Sequence, residues 1–180
     1  MTGVDRFIQR WRIRKAGAYI PRGARVLDIG CSDGAMFKLV PHIGSGIGID
    51  PLLTQPEQLP NARLLPGLFP DALPQDDTFD AITMLAVLEH VPRDQQRPLA
   101  LNCARFLRPG GRLIITVPSP AVDKILDVLS AMRLIHGMSL EQHYGFKPDE
   151  TPSVFGSAGL TTTVQRRFQF GLNNLFVFSK

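Results

Sequence analysis

The sequence predicts an α/β fold: a doubly wound, mostly parallel sheet of seven strands with one antiparallel strand and lean connections. Three observations carry this expectation. Val26-Leu27-Asp28-Ile29 is an apolar stretch that breaks at Gly30, and Gly34 follows four residues later, where a helix should begin. Strand-like and helix-like stretches then alternate along the chain, as in sheets whose parallel strands are joined by crossovers. Finally, the last two apolar segments are separated only by Phe170-Gly171. So short a turn joins antiparallel neighbours, because parallel ones need a long crossover.

The elements follow in order. A first helix is expected over residues 4–18, ended before Pro21. The first strand covers residues 25–29, and the helix after it runs over 34–40 and stops at Pro41. Residues 46–50 form the second strand, where Ile47-Gly48-Ile49 ends on Asp50. Pro51, Pro56, Pro60, Pro66, Pro70 and Pro74 then punctuate the chain. Proline removes backbone donors and breaks helices, so these crossovers should be short or irregular, with a third strand over 62–65. The fourth strand is expected at 79–85 and a helix at 94–107, with Leu99, Cys103, Phe106 and Leu107 on its apolar face. Pro109-Gly110-Gly111 reads as a turn before the fifth strand, 112–117. Val122, Ile125, Leu126, Leu129 and Met132 recur at helical spacing and predict a helix over 121–135. A loop follows over 137–152, then a short helix over 151–158 and the strands 161–168 and 172–178. The whole of 1–180 reads as one domain.

Strand, glycine loop, helix, strand and a terminal carboxylate is the order of a nucleotide-type fingerprint. The dinucleotide form is G-x-G-x-x-G, whose loop and helix N-terminus face a pyrophosphate. Here the pattern is Asp28-x-Gly30-x-x-x-Gly34, with Ser32 at the place of the middle glycine and Asp28 as an extra carboxylate. A ligand with an amino acid end and a ribose suits such a loop better than a diphosphate. The stretch resembles the first motif of the class I S-adenosylmethionine-dependent methyltransferases. Three further segments resemble the matching blocks of that family's small-molecule branch, in order and spacing. They are Leu73-Pro74-Gln75-Asp76-Asp77-Thr78-Phe79-Asp80-Ala81-Ile82, Val87-Leu88-Glu89-His90-Val91-Pro92, and the run from Leu107-Arg108-Pro109-Gly110-Gly111 to Thr116-Val117-Pro118.

The resemblance implies S-adenosylmethionine as cofactor, S-adenosylhomocysteine as product, and a small-molecule methyl acceptor. It places Gly30, Cys31 and Gly34 in the loop at the methionine end, with Asp28 orienting that loop or meeting the ammonium group. Asp33 caps the next helix or meets ligand. Asp50 is expected to accept both ribose hydroxyls, since a carboxylate offers two acceptor oxygens and no donor. Pro51 flanks the adenine, Leu68 and Phe69 supply its edge and a stacking face, and Met84, Leu85 and Ala86 pass beneath the sulfonium. Leu68 and Leu85 are apolar where the family often has an acid or a polar group. A hydroxyl or acidic carbon acceptor needs a base, and histidine suits neutral pH. His90, past the fourth strand, and His143 with Tyr144, in the substrate-side loop 136–158, are the candidates; His42 and His136 read as structural. Met84-Leu85-Ala86-Val87 lacks the Pro-Pro motif of the methyltransferases acting on exocyclic amines of nucleic acids.

Composition narrows the alternatives. Apolar residues make up 44% of the chain, and no run approaches the roughly 18 residues that span a bilayer, so no membrane partner is expected. Cys31 and Cys103 read as free thiols of a reducing, cytoplasmic setting, and no His/Cys cluster has metal-ligand spacing. Residues 1–25 carry a net charge of +6 while the rest carry −2, which would attract an anionic substrate or nucleic acid, or form a solvated helix face. Phe7, Ile8, Trp11 and Tyr19 recur at roughly helical spacing and are expected to dock this arm on the body. A non-catalytic cofactor-binding module, an RNA methyltransferase guided by the basic arm, and a nicotinamide dehydrogenase are the competing readings. A homodimer stays open.

Overall fold

The computed structural model describes residues 3–119 and 147–180, with side chains described from residue 6 onward. The expected helix over 121–135, His136, His143, Tyr144 and the first part of the 136–158 loop lie outside the described residues. All strands join one sheet of order β3-β4-β2-β1-β5-β6-β8-β7. These are β1 Arg25–Ile29, β2 Ser45–Asp50, β3 Glu57–Gln58, β4 Ala62–Pro66, β5 Phe79–Leu85, β6 Leu107–Pro118, β7 Thr161–Phe168 and β8 Asn173–Ser179. The helices are α1 Gly3–Gly17, α2 Ala35–Leu39, α3 Arg93–Phe106 and α4 Thr151–Gly156, with 3₁₀ turns at Leu88–His90 and Pro148–Glu150.

The mostly parallel, doubly wound sheet is as expected, with two differences. Among the described residues it has eight strands rather than seven, and two run antiparallel to their neighbours rather than one. β8 is the expected antiparallel strand, paired with β6 on one side and β7 on the other. β3 is the addition: two exposed polar residues pairing with Leu64 and Arg63 of β4. Such a pair carries no alternating apolar pattern, so nothing in the sequence marks it. β6 also starts earlier than expected, because Leu107 pairs with Phe79 before the register shifts to Arg112 opposite Ala81. The Pro109-Gly110-Gly111 segment is thereby drawn into the strand, and Gly110 donates to the Lys180 carbonyl at 3.2 Å.

Local chemistry explains the lean helices. α2 starts after Gly34, whose φ of 71° is left-handed, and Asp33 Oδ1 accepts from the Ala35 amide at 3.2 Å. Gly34 is thus the N-cap, without a side-chain cap bond, and Asp33 supports the turn from one residue before it. α2 ends before Pro41, because the residue preceding a proline avoids helical angles. The short helix still packs closely on β2: a Cβ at Gly46 would lie 2.3 Å from a Phe37 ring carbon. Glycine in β2 is thus the condition for Phe37 to lie on the strand.

The sheet buries apolar residues on both faces. On one face Phe79, Phe176 and Phe178 of the strands pack with Phe106 of α3 and Phe155 of α4, and burying each such ring contributes about 2–3 kcal/mol. On the other face, α1 and α2 cover Val26, Ile114 and Val177 with Ile13, Ala16, Met36 and Phe37. Of the four residues expected to dock the arm, Tyr19 packs against this core, but the contact is made chiefly by Ile13 and Ala16 and not by Phe7 and Ile8. Phe7 is 62% exposed and Ile8 36%. Gly17 continues that face in close contact with Val40, where a Cβ would come within 2.9 Å.

A polar clamp ties the amino ends of β1, β5 and β6. Asp80 accepts from the Arg25 amide and from Arg108 Nη1, each at 2.7 Å, and Arg25 Nη2 meets Asp77 at 2.6 Å. Burial disfavours the Asp80 charge, but these bonds outweigh it and hold its pKa below the ordinary value. With this end fixed, the carboxyl ends of β1, β2, β4, β5 and β6 open along the opposite edge.

Candidate functional site

The cleft at that edge is built on the loop after β1. Gly30 has φ 74° and lies against Val87: a Cβ there would fall 2.4 Å from Val87 Cγ2. Ser32, at the missing middle glycine, is left-handed at φ 47°, and Ala86 at the end of β5 has φ 58°. Non-glycine residues in this region cost of order 1–3 kcal/mol each and cluster at functional sites. The amides of this loop are largely committed within the protein. Gly30 and Cys31 donate to the Ile49 carbonyl, Gly34 to the Cys31 carbonyl, and Ser32 to Asp50 Oδ2 at 2.8 Å. A pyrophosphate needs such amides open toward it. The loop is therefore a poor phosphate nest, which sets aside the dinucleotide reading.

Two cavities meet at Gly30. The first, about 220 Å³, is polar and is lined by Asp28, Gly30, Cys31, Ser32, Leu85 and Ala86, and by Gln9, Arg12 and Ile13 of α1. Asp28 is buried, and its Oδ1 accepts from Thr83 Oγ1 at 2.6 Å. Burial pushes its pKa up to about 7, the Thr83 bond opposes this, and the nearby Asp50 charge adds to it. Across the cavity, burial lowers the pKa of Arg12, and the negative charge of Glu89 works against that shift. Among the described residues, Arg12 Nε is buried without a hydrogen-bond partner. Opposite charges facing one cavity, one with an unused donor, suit a zwitterion such as an amino acid.

The second cavity, about 550 Å³, is mainly apolar. Ile49, Pro51, Leu68, Phe69, Val87 and His90 line it, with Gln95, Leu99 and Asn102 of α3. Phe69 lines the cavity while packing edge-to-face on Phe106 at 5.4 Å. Leu68 is largely exposed, as a rim residue would be. This space suits a flat, weakly polar ring system.

Asp50 is buried and turned toward the backbone: Oδ2 takes the Ser32 amide and Oδ1 the Leu52 amide, at 2.8 and 2.9 Å. Its neighbours Ile49 and Pro51, rather than Asp50 itself, form the cleft wall. Cys31 is buried, and burial together with the Asp28 and Asp50 charges pushes its thiol up to about 12, so it stays protonated. Gly34 turns the chain into α2, and a Cβ there would lie 2.7 Å from Leu59. Met84 is fully buried in the core, whereas Leu85 and Ala86 reach the polar cavity. The sequence reading missed Gln9 and Arg12. Their signal was the i, i+3, i+4, i+7 spacing of Gln9, Arg12, Ile13 and Ala16, which marks one helix face. Among the described residues, no group of three His, Cys, Asp or Glu side chains is arranged to hold a metal ion.

A family model described as "Methyltransferase domain" matches residues 3–169. The protein named ubiquinone biosynthesis O-methyltransferase of Xanthomonas axonopodis pv. citri is 34% identical over 156 residues, covering 78% of this chain and 64% of that protein. Its namesake in Xanthomonas oryzae pv. oryzae is 33% identical over 106 residues, covering 52% and 43%. The chain thus spans about half the length of these curated relatives. Among solved structures, the 1,6-didemethyltoxoflavin-N1-methyltransferase of Burkholderia thailandensis, with 1,6-didemethyltoxoflavin and S-adenosylhomocysteine bound, superposes with a TM-score of 0.70 at 19% identity, over 99% of this chain and 82% of that one. The magnesium protoporphyrin IX methyltransferase of Synechocystis PCC 6803, with S-adenosylhomocysteine bound, also gives 0.70, at 16% identity over 100% and 88%. At these identities the shared property is the fold.

Proposed function

Because the chain belongs to the methyltransferase-domain family, we propose that it binds S-adenosylmethionine across the carboxyl ends of β1, β2, β4 and β5 and passes the methyl group to a small-molecule acceptor. The observation that supports this most is the pair of cavities meeting at Gly30, one polar with Asp28 and Arg12, one apolar with Leu68 and Phe69. An amino acid joined to a nucleoside has those two halves in that order.

The residues divide the work. Asp28, once ionised, holds the ammonium, and Arg12 turns its unused Nε toward the carboxylate. Gly30 lets the ligand pass close to the backbone, and Leu85 and Ala86 floor the space below the sulfur. Asp50 keeps the loop in place through Ser32 and retains a lone pair on each oxygen for the ribose hydroxyls. Pro51, Leu68 and Phe69 enclose the adenine. Cys31 and Gly34 shape the loop rather than react. Bound here, the cofactor supplies a methyl group on a sulfonium, a leaving group that is already activated. What the chain adds is position: an acceptor aligned with the methyl carries much of the rate.

The relatives named as O-methyltransferases support a hydroxyl oxygen as the acceptor atom. Such an acceptor has to lose a proton, and His143 with Tyr144, or His90, would take it. His90 lines the apolar cavity assigned here to the adenine, so this reading gives the base to His143. The test is transfer from methyl-labelled cofactor to a panel of small phenols and amines. Label in a phenol, with one equivalent of S-adenosylhomocysteine formed, is expected. Tight cofactor binding with no transfer to the panel or to a small-molecule extract would favour a non-catalytic binding module.

A further inference from the structure

The outward face of α1 carries a feature that cofactor binding does not use. Phe170, at the tip of the β7–β8 turn, is 95% exposed and held left-handed at φ 57°. Trp11 packs edge-on against it at 6.0 Å, and Phe7, 62% exposed, packs edge-on against Trp11 at 5.8 Å. Gln169 fixes the turn to the helix by donating to the Ile8 carbonyl at 3.0 Å. Three large rings thus form one raised, continuous strip. Arg10 and Arg14 share the helix face of Phe7 and Trp11, at spacings of three, four and seven residues, and both are exposed. Arg6 and Lys15 flank them, and Arg166 lies near the end of the same hairpin. No acidic residue occurs between Arg6 and Gly17.

From this strip and its basic border we infer that α1 and the hairpin tip form a docking surface for an anionic lipid bilayer. Exposed aromatic rings favour the boundary between headgroups and acyl chains, and cations beside them meet lipid phosphates. The polarity of the border selects the occupant. A second copy would set the arginines of both chains against each other, since an isologous contact repeats the same patch. Single-stranded RNA asks for ring faces open to stacking, whereas these rings are engaged edge-to-face and end in a protruding phenyl group. The sequence reading assigned no membrane because no segment spans one, and among the described residues no helix is long and apolar enough to cross. Surface docking needs no span. Gln9 and Arg12, on the opposite side of the same helix, line the polar cavity, so docking on the outward face leaves these residues turned away from the bilayer.

Trp11 is the only tryptophan of the chain, so its emission reports on this surface directly. The full chain should co-sediment with phosphatidylcholine vesicles containing about one-third phosphatidylglycerol, with a blue shift of Trp11 emission, and much less with phosphatidylcholine alone. Replacing Arg10 and Arg14 together by Gln should weaken that binding by roughly tenfold or more. Phe170→Gly, which suits the left-handed backbone, and Phe7→Ser should each weaken it while S-adenosylhomocysteine affinity stays constant. Absence of binding to the anionic vesicles, binding that ignores these variants, or salt-sensitive retention of an RNA oligonucleotide without vesicle binding would each overturn the proposal.

Discussion

Asp28 concentrates the chemistry of the cleft in one carboxyl group. It is buried, bonded to Thr83, and brought to a pKa of about 7 chiefly by burial. Two consequences of opposite sign follow. The folded chain keeps this proton where the unfolded chain has lost it, so Asp28 subtracts stability as pH rises from the ordinary carboxylate range toward 7. An ammonium group, by contrast, binds the ionised form, so ligand affinity should rise over the upper part of that window. Calorimetric titration with S-adenosylhomocysteine should therefore show weaker binding at about pH 6 than at about pH 8, by up to roughly tenfold. Asp28→Asn should bind weakly at both values and lose most of the difference. An unchanged pH profile in that variant would remove Asp28 from the ammonium site. Asp28 and Gly30 were legible in the sequence because a carboxylate and a glycine at a strand end have few other uses. Arg12 was not, since an arginine on a basic helix reads as solvated. Only the packing of Ile13 and Ala16 turns it inward.

At the scale of elements, α1 is a half-attached helix with two jobs. Ile13 and Ala16 hold it to the sheet, Gln9 and Arg12 roof the polar cavity, and Phe7 and Trp11 face away. Ile13→Ala should cost about 2–4 kcal/mol in urea unfolding, as expected for truncating a buried isoleucine. It should weaken S-adenosylhomocysteine binding as well, through the loosened Arg12. A stability loss with unchanged affinity would show that α1 does not hold the ligand. The boundaries of this helix were readable, but its docking face was not. The spacing of Phe7, Ile8, Trp11 and Tyr19 suggested one stripe, whereas the helix lies on the sheet through Ile13 and Ala16, with Gly17 against Val40 and Tyr19 alone of the four packed on the core. β3 escaped the sequence for another reason: two exposed polar residues pair with β4 without any apolar pattern, and Gln58 Nε2 adds a bond to the Ala62 carbonyl at 3.1 Å.

At the scale of the molecule, the sheet separates stability from function. The amino ends of the strands are closed by Arg25, Asp77, Asp80 and Arg108, and both faces are filled by the aromatic and aliphatic cores. Strain collects at the opposite edge, in Ser32, Ala86 and the 169–171 turn. The alternation of strands with helices was legible because every strand but β3 carries an apolar core and proline or glycine stops stand between the elements. The division of the cleft into two cavities was not, because Val87 over Gly30 is a contact between segments far apart in sequence. The central claim is that these cavities take the two ends of one sulfur-linked amino acid nucleoside. Isothermal titration of the full chain with S-adenosylhomocysteine, and separately with NAD, tests it most directly. Saturable heat with one equivalent of S-adenosylhomocysteine and none with NAD is the expected result; heat with NAD and none with S-adenosylhomocysteine would contradict it.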